Sequence, residues 1–408
     1  MLDGVVNPQA PRSFLGGPED LSVLRNFSDH VATRLWSDED RGELKIFNHG
    51  RKVKSFVIKH HQIQKLVDKS GLASLLLCNY QMVNKGLVFA FVERWHPETS
   101  SFHLPIGEMT ITLDDVSCLL HLPIRGALFS QPVMDHDIAC VYLEDLLGVS
   151  HKDAILEIRA TRGAHVRMSW LRDVYDARCQ EKRWEFATRA FLLFLVGCMI
   201  FANKSTTYVD VALLDLFRDL SACSDYAWGA ATLTFLYEYL GDACVHSTKQ
   251  IGGYMTLLQA WIFEHFPRIG SRQLSMEYLE QNPRASRWSH SKSIGHVLPY
   301  RKELDAIIIN EVCWMPYSHH RYYRPFKDIT LYSGWLRWGT YKQAHLPERV
   351  LRQYGHVQHI PRSPQHVTSM VISLEEIDDR WLHYANYVVD VAQSGSVNPI
   401  CLICVLKG

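Results

Sequence analysis

The residues with the most chemical potential crowd into one stretch: Glu93, His96, Glu98, His103, Glu108, Asp114 and Asp115. Paired carboxylates beside imidazoles are the material of general acid–base catalysis, because one group can hold a proton while its neighbour takes one. A hydrolytic centre built on Glu98, His103 and Glu108 is one expectation. The same residue types cap helices and hold turns, and that structural role is the other expectation for this stretch. A half-site for zinc stands at Cys401-x-x-Cys404, where His319, His320 and Cys313, or His356, His359 and His366, could complete the four ligands that zinc needs. The alternative is that both cysteines are apolar residues of a terminal strand. Signatures of other chemistries are missing: no Gly-x-x-x-x-Gly-Lys-Ser/Thr, no Gly-x-Gly-x-x-Gly after a strand, no His-Glu-x-x-His and no Gly-x-Ser-x-Gly. No catalytic residue, cofactor or metal site is therefore assigned.

A second kind of chemistry is binding. Between Arg284 and Arg362 thirteen Lys and Arg face five acids, an excess of eight positive charges in a chain whose net charge is zero. Aromatic residues interleave with them. Cations neutralise phosphates and flat rings stack on unpaired bases, so this segment is the candidate surface for DNA, RNA or another partner. Its residues are Arg284, Arg287, Lys292, Arg321, Tyr322, Tyr323, Arg324, Lys327, Trp335, Arg337, Trp338, Arg349 and Arg352. The competing view is that these rings are core, with arginine stems laid over them. Overall neutrality argues against a chain given over entirely to coating nucleic acid.

The elements that must position these groups are mainly helical. The thirteen residues from Ala190 to Ala202 are uncharged and almost wholly apolar. A helix apolar on every side must be covered on every side, and this one is shorter than the roughly 20 residues that span a bilayer. A central helix over Phe186–Ala202, wrapped by neighbours, is expected to organise one large mainly α domain, with no membrane segment. Further helices are expected at Leu72–Met82, Leu87–Trp95, Val141–Gly148, Ala154–Ala160, Ser169–Ala177, Tyr226–Leu240, Gly253–Phe266, Arg301–Cys313 and Pro347–Tyr354, with Asp225 as a cap. Two or three helices packing around the central run are expected to cover its whole circumference. A small β-hairpin is expected near residues 102–113, turning at Gly107. Thr112 and Asp115 have capping-box spacing for a helix running to Leu120, and Thr207 with Asp210 repeats that spacing. Residues 1–42, rich in Pro and Gly, read as a loose arm with a short helix near Leu21–Leu35. Residues 43–370 read as the domain, and 371–408 as an extension whose apolar end suggests an edge strand or a shortened product. The start is neither a secretory signal nor a transit peptide, so ten cysteines read as reduced thiols. Arg51-Lys52-Val53-Lys54 is a short basic run of the nuclear-import kind.

Phe91-Val-Glu-Arg-Trp95-His-Pro-Glu-Thr99-Ser-Ser-Phe-His103, then Pro105-Ile-Gly107-Glu-Met-Thr110-Ile-Thr-Leu-Asp-Asp115-Val and Leu119-Leu-His-Leu-Pro123, resemble the plant mobile domain. Arg189-Ala-Phe-Leu-Leu193, Asp225-Tyr-Ala-Trp-Gly229-Ala-Ala, Leu257-Leu-Gln-Ala-Trp261, Trp314-Met-Pro-Tyr317 and Arg349-Val-Leu-Arg-Gln-Tyr-Gly355-His-Val-Gln-His-Ile-Pro361 extend the resemblance, which runs from about Gly71 to Pro361. One departure is His121-Leu-Pro-Ile-Arg125-Gly126, where many members open with Gly and carry an acid before the glycine, so the charge of this loop differs. The resemblance implies a plant protein of transposon-related origin: a non-enzymatic nuclear factor in gene or transposon silencing and meristem maintenance. It implies a phosphatase-7-type protein partner and no cofactor. Metallophosphatase motifs are missing from this chain, and a transposon-derived hydrolase remnant stands as a further alternative.

Overall fold

The apolar run does form a helix, Trp184–Cys198, and every residue from Ala187 to Cys198 is buried. A computed structural model describes residues 24, 27–35, 39, 41–289 and 295–391 of this mainly α protein. Met199 breaks the helical conformation, and Ile200, Phe201 and Ala202 continue as a buried turn. The helices His61–Lys69, His136–Leu147 and Met168–Gln180 cover the central helix, together with the 3-10 turn Val211–Phe217. Phe56 sets its ring edge against Phe191 and Phe194, at 5.1 and 4.8 Å between centroids. At Gly197 a Cβ would lie 2.4 Å from Val209, so the strand Tyr208–Asp210 can approach there because glycine has no side chain. Arg189, the buried charge in this helix, is satisfied: its guanidinium donates to the carbonyls of Phe217 and Arg218 and pairs with Glu185 one turn earlier.

Two or three helices were expected to pack around this rod, and His61–Lys69, His136–Leu147 and Met168–Gln180 do; the helices that follow it in sequence lie mostly elsewhere. Trp228–Ala243 and Met255–His265 pack instead on a second buried helix, Leu113–Leu120. That short helix opens with the anticipated capping box, in which Thr112 accepts from the Asp115 amide while the Asp115 carboxylate accepts from the Thr112 amide. It ends where His121 takes a left-handed conformation, φ +57°. Just before it, Ser101–Leu104 and Gly107–Met109 form the expected hairpin, which Trp95–His96 extends to three antiparallel strands.

Other differences have local causes. The Leu72–Met82 pattern yields a 3-10 turn at Ala73–Leu76. A helix at Leu298–Asp305 stops before Ile307-Ile308-Ile309, a β-branched run that resists helix, and a 3-10 turn follows. Pro347–Tyr354 is two 3-10 turns separated by Val350, whose backbone is not helical. Thr207 and Asp210 form no capping box, although Asp210 caps the 3-10 turn behind it. Asp225 lies in a 3-10 turn, and the next helix starts three residues later without a side-chain cap. An antiparallel ribbon, Gly334–Trp338 with Tyr341–His345, was not anticipated. Beyond it the helix Leu374–Leu382 buries Ile377 and Trp381 in the main core, and the Trp381 indole donates to the Gly126 carbonyl. Within the first 42 residues, Phe27–Asp29 and Val31–Leu35 are short helical turns whose Phe27, Val31 and Ala32 are buried. The apolar end Ile400–Leu406, with Cys401 and Cys404, lies outside the described residues.

Candidate functional site

The hairpin groups are drawn together, but their polar atoms face one another. Both oxygens of Glu108 take the Arg349 guanidinium, at 2.7 and 2.5 Å, and one also accepts from Ser101. Burial pushes that carboxyl up, and the Arg349 fork with nearby His103 overrides it, leaving Glu108 below the usual carboxylate range. His103 is held below its ordinary value by burial, 3.1 Å from the Thr99 hydroxyl. Its ring lies 4.0 Å from that of His96, which stacks in turn on His30 at 4.3 Å. The His30 Nδ1 accepts from the Ala32 amide, so its Nε2 carries the proton and donates to the Trp95 carbonyl. Burial lowers that imidazole to about 4. Glu98 lines a cavity of about 470 Å³ beside this column with His30, His96, Arg34 and His246. The geometry therefore gives Glu108 a structural partner in Arg349, while Glu98 lines the neighbouring cavity.

Asp114 and Asp115 open a second polar chain, inside the Leu113–Leu120 helix. Asp115 accepts from His265 Nε2 at 2.8 Å and from the Tyr317 hydroxyl at 2.7 Å. The other ring nitrogen of His265 is 2.9 Å from the Cys313 carbonyl. Burial raises the Asp115 carboxyl, but His265 and Thr112 outweigh it and hold the group below its ordinary value. Asp114 receives the Arg321 fork at 2.7 and 2.6 Å. At the helix end His121 and His320 meet Nε2 to Nε2 at 2.8 Å, and His320 Nδ1 reaches Glu280 at 3.0 Å. Glu280 continues to Arg284, and Arg284 to Glu264. The capping-box spacing made Asp115 visible in sequence. Its partners His265 and Tyr317, 150 and 202 positions away, carried no local signal.

Much of the basic aromatic segment, read above as a candidate surface or alternatively as core rings under arginine stems, is turned inward. Arg284 is 5% exposed and ion-paired with Glu264 and Glu280. Arg337 is 1% exposed, pairs with Asp378 and donates to the Phe129 carbonyl. Arg349 is buried on Glu108, and Trp338 stacks on Phe201 at 3.8 Å inside the core. Arg321 is half-buried on Asp114. Arg287 lies over Trp288, Arg352 over Trp314 with a bond to the Ile106 carbonyl, and the partly buried Trp335 donates to the Val367 carbonyl. Tyr322, Tyr323, Arg324 and Lys327 reach the surface or its edge. Lys292 lies outside the described residues. The physical reason is charge segregation along the chain. The carboxylates that answer Arg284, Arg301, Arg321, Arg337 and Arg349 all come from outside residues 284–362, so the local excess is consumed by long-range pairing.

Among the described residues no three or more His, Cys, Asp or Glu come together in a way that could hold a metal ion, and no helix is long and apolar enough to cross a membrane. The eight described cysteines are free thiols, seven of them buried. The model of the plant mobile domain matches residues 71–398. The chain belongs to the plant mobile domain family. The match starts where the resemblance was read to start and runs further, through the Leu374–Leu382 helix. The plant mobile domain chain is 32% identical over 398 residues to Protein MAIN-LIKE 1 of Arabidopsis thaliana, covering 93% of itself and 77% of that relative. It is 32% identical over 395 residues to Protein MAINTENANCE OF MERISTEMS of the same plant, covering 91% and 79%. A third Arabidopsis thaliana relative, Serine/threonine-protein phosphatase 7 long form homolog, is 32% identical over 372 residues; these are 85% of this chain but 27% of that one. No solved structure matches the chain.

Proposed function

We propose that this plant mobile domain protein is a non-enzymatic nuclear scaffold that acts in gene or transposon silencing and in meristem development, together with a protein partner. The observation that carries this reading is the similarity to Protein MAINTENANCE OF MERISTEMS across 91% of the chain and 79% of that relative. The geometry is in keeping with it. Glu108, Asp114 and Asp115, the carboxylates with the strongest catalytic look, are each engaged by Arg349, Arg321 or His265 and serve to join distant segments. A phosphatase-7-like protein is the proposed partner, since a relative bearing a phosphatase name carries the same domain within about a quarter of its length.

Affinity purification of the tagged full chain from plant nuclei, with and without nuclease, tests the proposal. A phosphatase-7-like protein recovered in both arms is the expected result. A diffuse cytosolic location for the tagged chain, or loss of every partner on nuclease treatment, would overturn it.

A further inference from the structure

Five described residues with phenyl, phenol or indole rings are exposed, and three of them, Tyr322, Tyr323 and Phe326, fall in one turn. Tyr322 is 87% exposed, the most of the five. Its ring meets that of Tyr323 edge to face at 5.1 Å, an arrangement that leaves the outer ring free to stack on something else. The same turn carries Arg324 and Lys327. Arg324 is anchored by a 2.9 Å bond to the His121 carbonyl, at the end of the buried Leu113–Leu120 helix. The loop leaving that helix brings Arg125 alongside, lying over the Tyr384 ring at 5.4 Å. Among the described residues none of these three cations sits in an ion pair, unlike Arg284, Arg321, Arg337 and Arg349 nearby in sequence. Lys327 is lowered by burial and further by Arg324 and Arg125, so the groups that weigh on it are positive. The acid of the turn, Asp328, opens the following 3-10 turn.

We infer that Arg125, Arg324 and Lys327 with Tyr322, Tyr323 and Phe326 form a binding surface for single-stranded nucleic acid. Unpaired cations attract phosphates. Exposed rings offer stacking faces that every base can use and that a duplex, with its bases already stacked, cannot. Charge alone would also suit a phosphorylated peptide, but a peptide gives the bare Tyr322 ring no comparable partner. Arg324 stays in register because it is tied to the helix end, so the patch is positioned by the core even though its rings lie outside. This inference is independent of the scaffold reading.

The test is fluorescence anisotropy of the purified full chain with a labelled, mixed-sequence single-stranded oligonucleotide, as DNA and as RNA, against a duplex of the same length. Three neutralised phosphates predict a slope of log affinity against log salt of roughly −2, from about −0.7 per phosphate on single strands. Arg125→Gln and Lys327→Gln should each flatten that slope by about 0.7. Tyr322→Ala should weaken binding roughly ten-fold or more while leaving the slope and the melting temperature unchanged, because so exposed a ring contributes little to folding. Absent binding, equal affinity for Tyr322→Ala, or tighter binding of a doubly phosphorylated peptide than of the oligonucleotide would overturn the inference.

Discussion

Two buried helices hold this protein together by opposite means. Trp184–Cys198 is oily on all sides and is covered by other apolar surfaces, with Arg189 satisfied by backbone carbonyls. Leu113–Leu120 is just as deeply buried, yet it carries Asp114 and Asp115 into the interior and binds remote segments through them. Burial of apolar surface is non-directional, so the first helix tolerates many arrangements of its neighbours. Ion pairs and hydrogen bonds in a poorly solvating interior demand specific partners at specific angles. The second helix therefore fixes where the Met255–His265 helix and the turn around Tyr317–Arg321 must sit. The patch of Tyr322, Arg324 and Lys327 hangs from this second helix, not the first.

The largest expected effect separates the two. Asp115→Ala would leave His265 and Tyr317 without their acceptor and remove half of the capping box, a loss of about 3–5 kcal/mol measured by denaturant unfolding. A loss below about 1 kcal/mol would mean that the polar hub does not organise the fold. Leu193→Ala in the central helix should cost about 3 kcal/mol through lost burial and a residual cavity. The replacements should differ in kind as well as size. Leu193→Met, which roughly conserves volume, should cost less than about 1.5 kcal/mol, whereas Asp115→Asn, of the same shape as Asp115, should still be costly because an amide cannot accept in every direction that the carboxylate does. For the neighbouring pair, Asp114→Leu alone should destabilise more than Asp114→Leu combined with Arg321→Met, since the single change strands a partly buried guanidinium. A double-mutant cycle with no coupling between these positions would dispose of that expectation.

Acid should sharpen the contrast further. Burial, followed by Arg324 and His320, lowers His121 to about 3, and burial also lowers His320 despite Glu280. The folded state thus binds fewer protons than the unfolded chain across this range, and its stability falls as pH drops from about 6.5 towards 3. A proton on both rings would also remove the acceptor in the His121–His320 contact. Amide exchange in Leu113–Leu120, corrected for intrinsic rates, should therefore accelerate on acidification well before exchange in Trp184–Cys198 does. Simultaneous loosening of both helices would indicate one cooperative unit with no special role for the imidazole pair.

How far each helix was legible in the sequence follows from the same difference. An apolar run flanked by charges announces its own burial, and Trp184–Cys198 was placed within a few residues. Which elements would cover it was not legible, because any amphipathic face can serve. The capping box likewise announced the start of Leu113–Leu120, since Thr112 and Asp115 are three positions apart. Nothing near Asp115 pointed to His265 or Tyr317, because a buried carboxylate chooses partners by position in space. The basic aromatic segment misled for that reason. Its charge was read locally, while Glu108, Asp114, Glu264 and Asp378, which neutralise much of it, are supplied by other parts of the chain. The ribbon Gly334–Trp338 with Tyr341–His345 was hidden within the same segment, where Trp335 and Trp338 had been assigned to binding instead of to a strand.

The smallest effect concerns how each helix begins. The central helix starts at Arg183 without a side-chain cap, and its packing suffices. The Leu113–Leu120 helix has eight residues, a length at which isolated helices do not persist in water. Its first turn therefore depends on Thr112, whose hydroxyl accepts from the Asp115 amide and donates to the Asp115 carboxylate. Thr112→Ala should cost about 1 kcal/mol, and Thr112→Ser should restore most of it because the hydroxyl returns without the methyl. The informative readout is the Asp115→Ala background. If the cap acts through Asp115, Thr112→Ala should cost clearly less there than in the native chain. Equal costs in both backgrounds would mean that Thr112 acts through the backbone amide of residue 115, which the alanine variant keeps, and not through the Asp115 carboxylate.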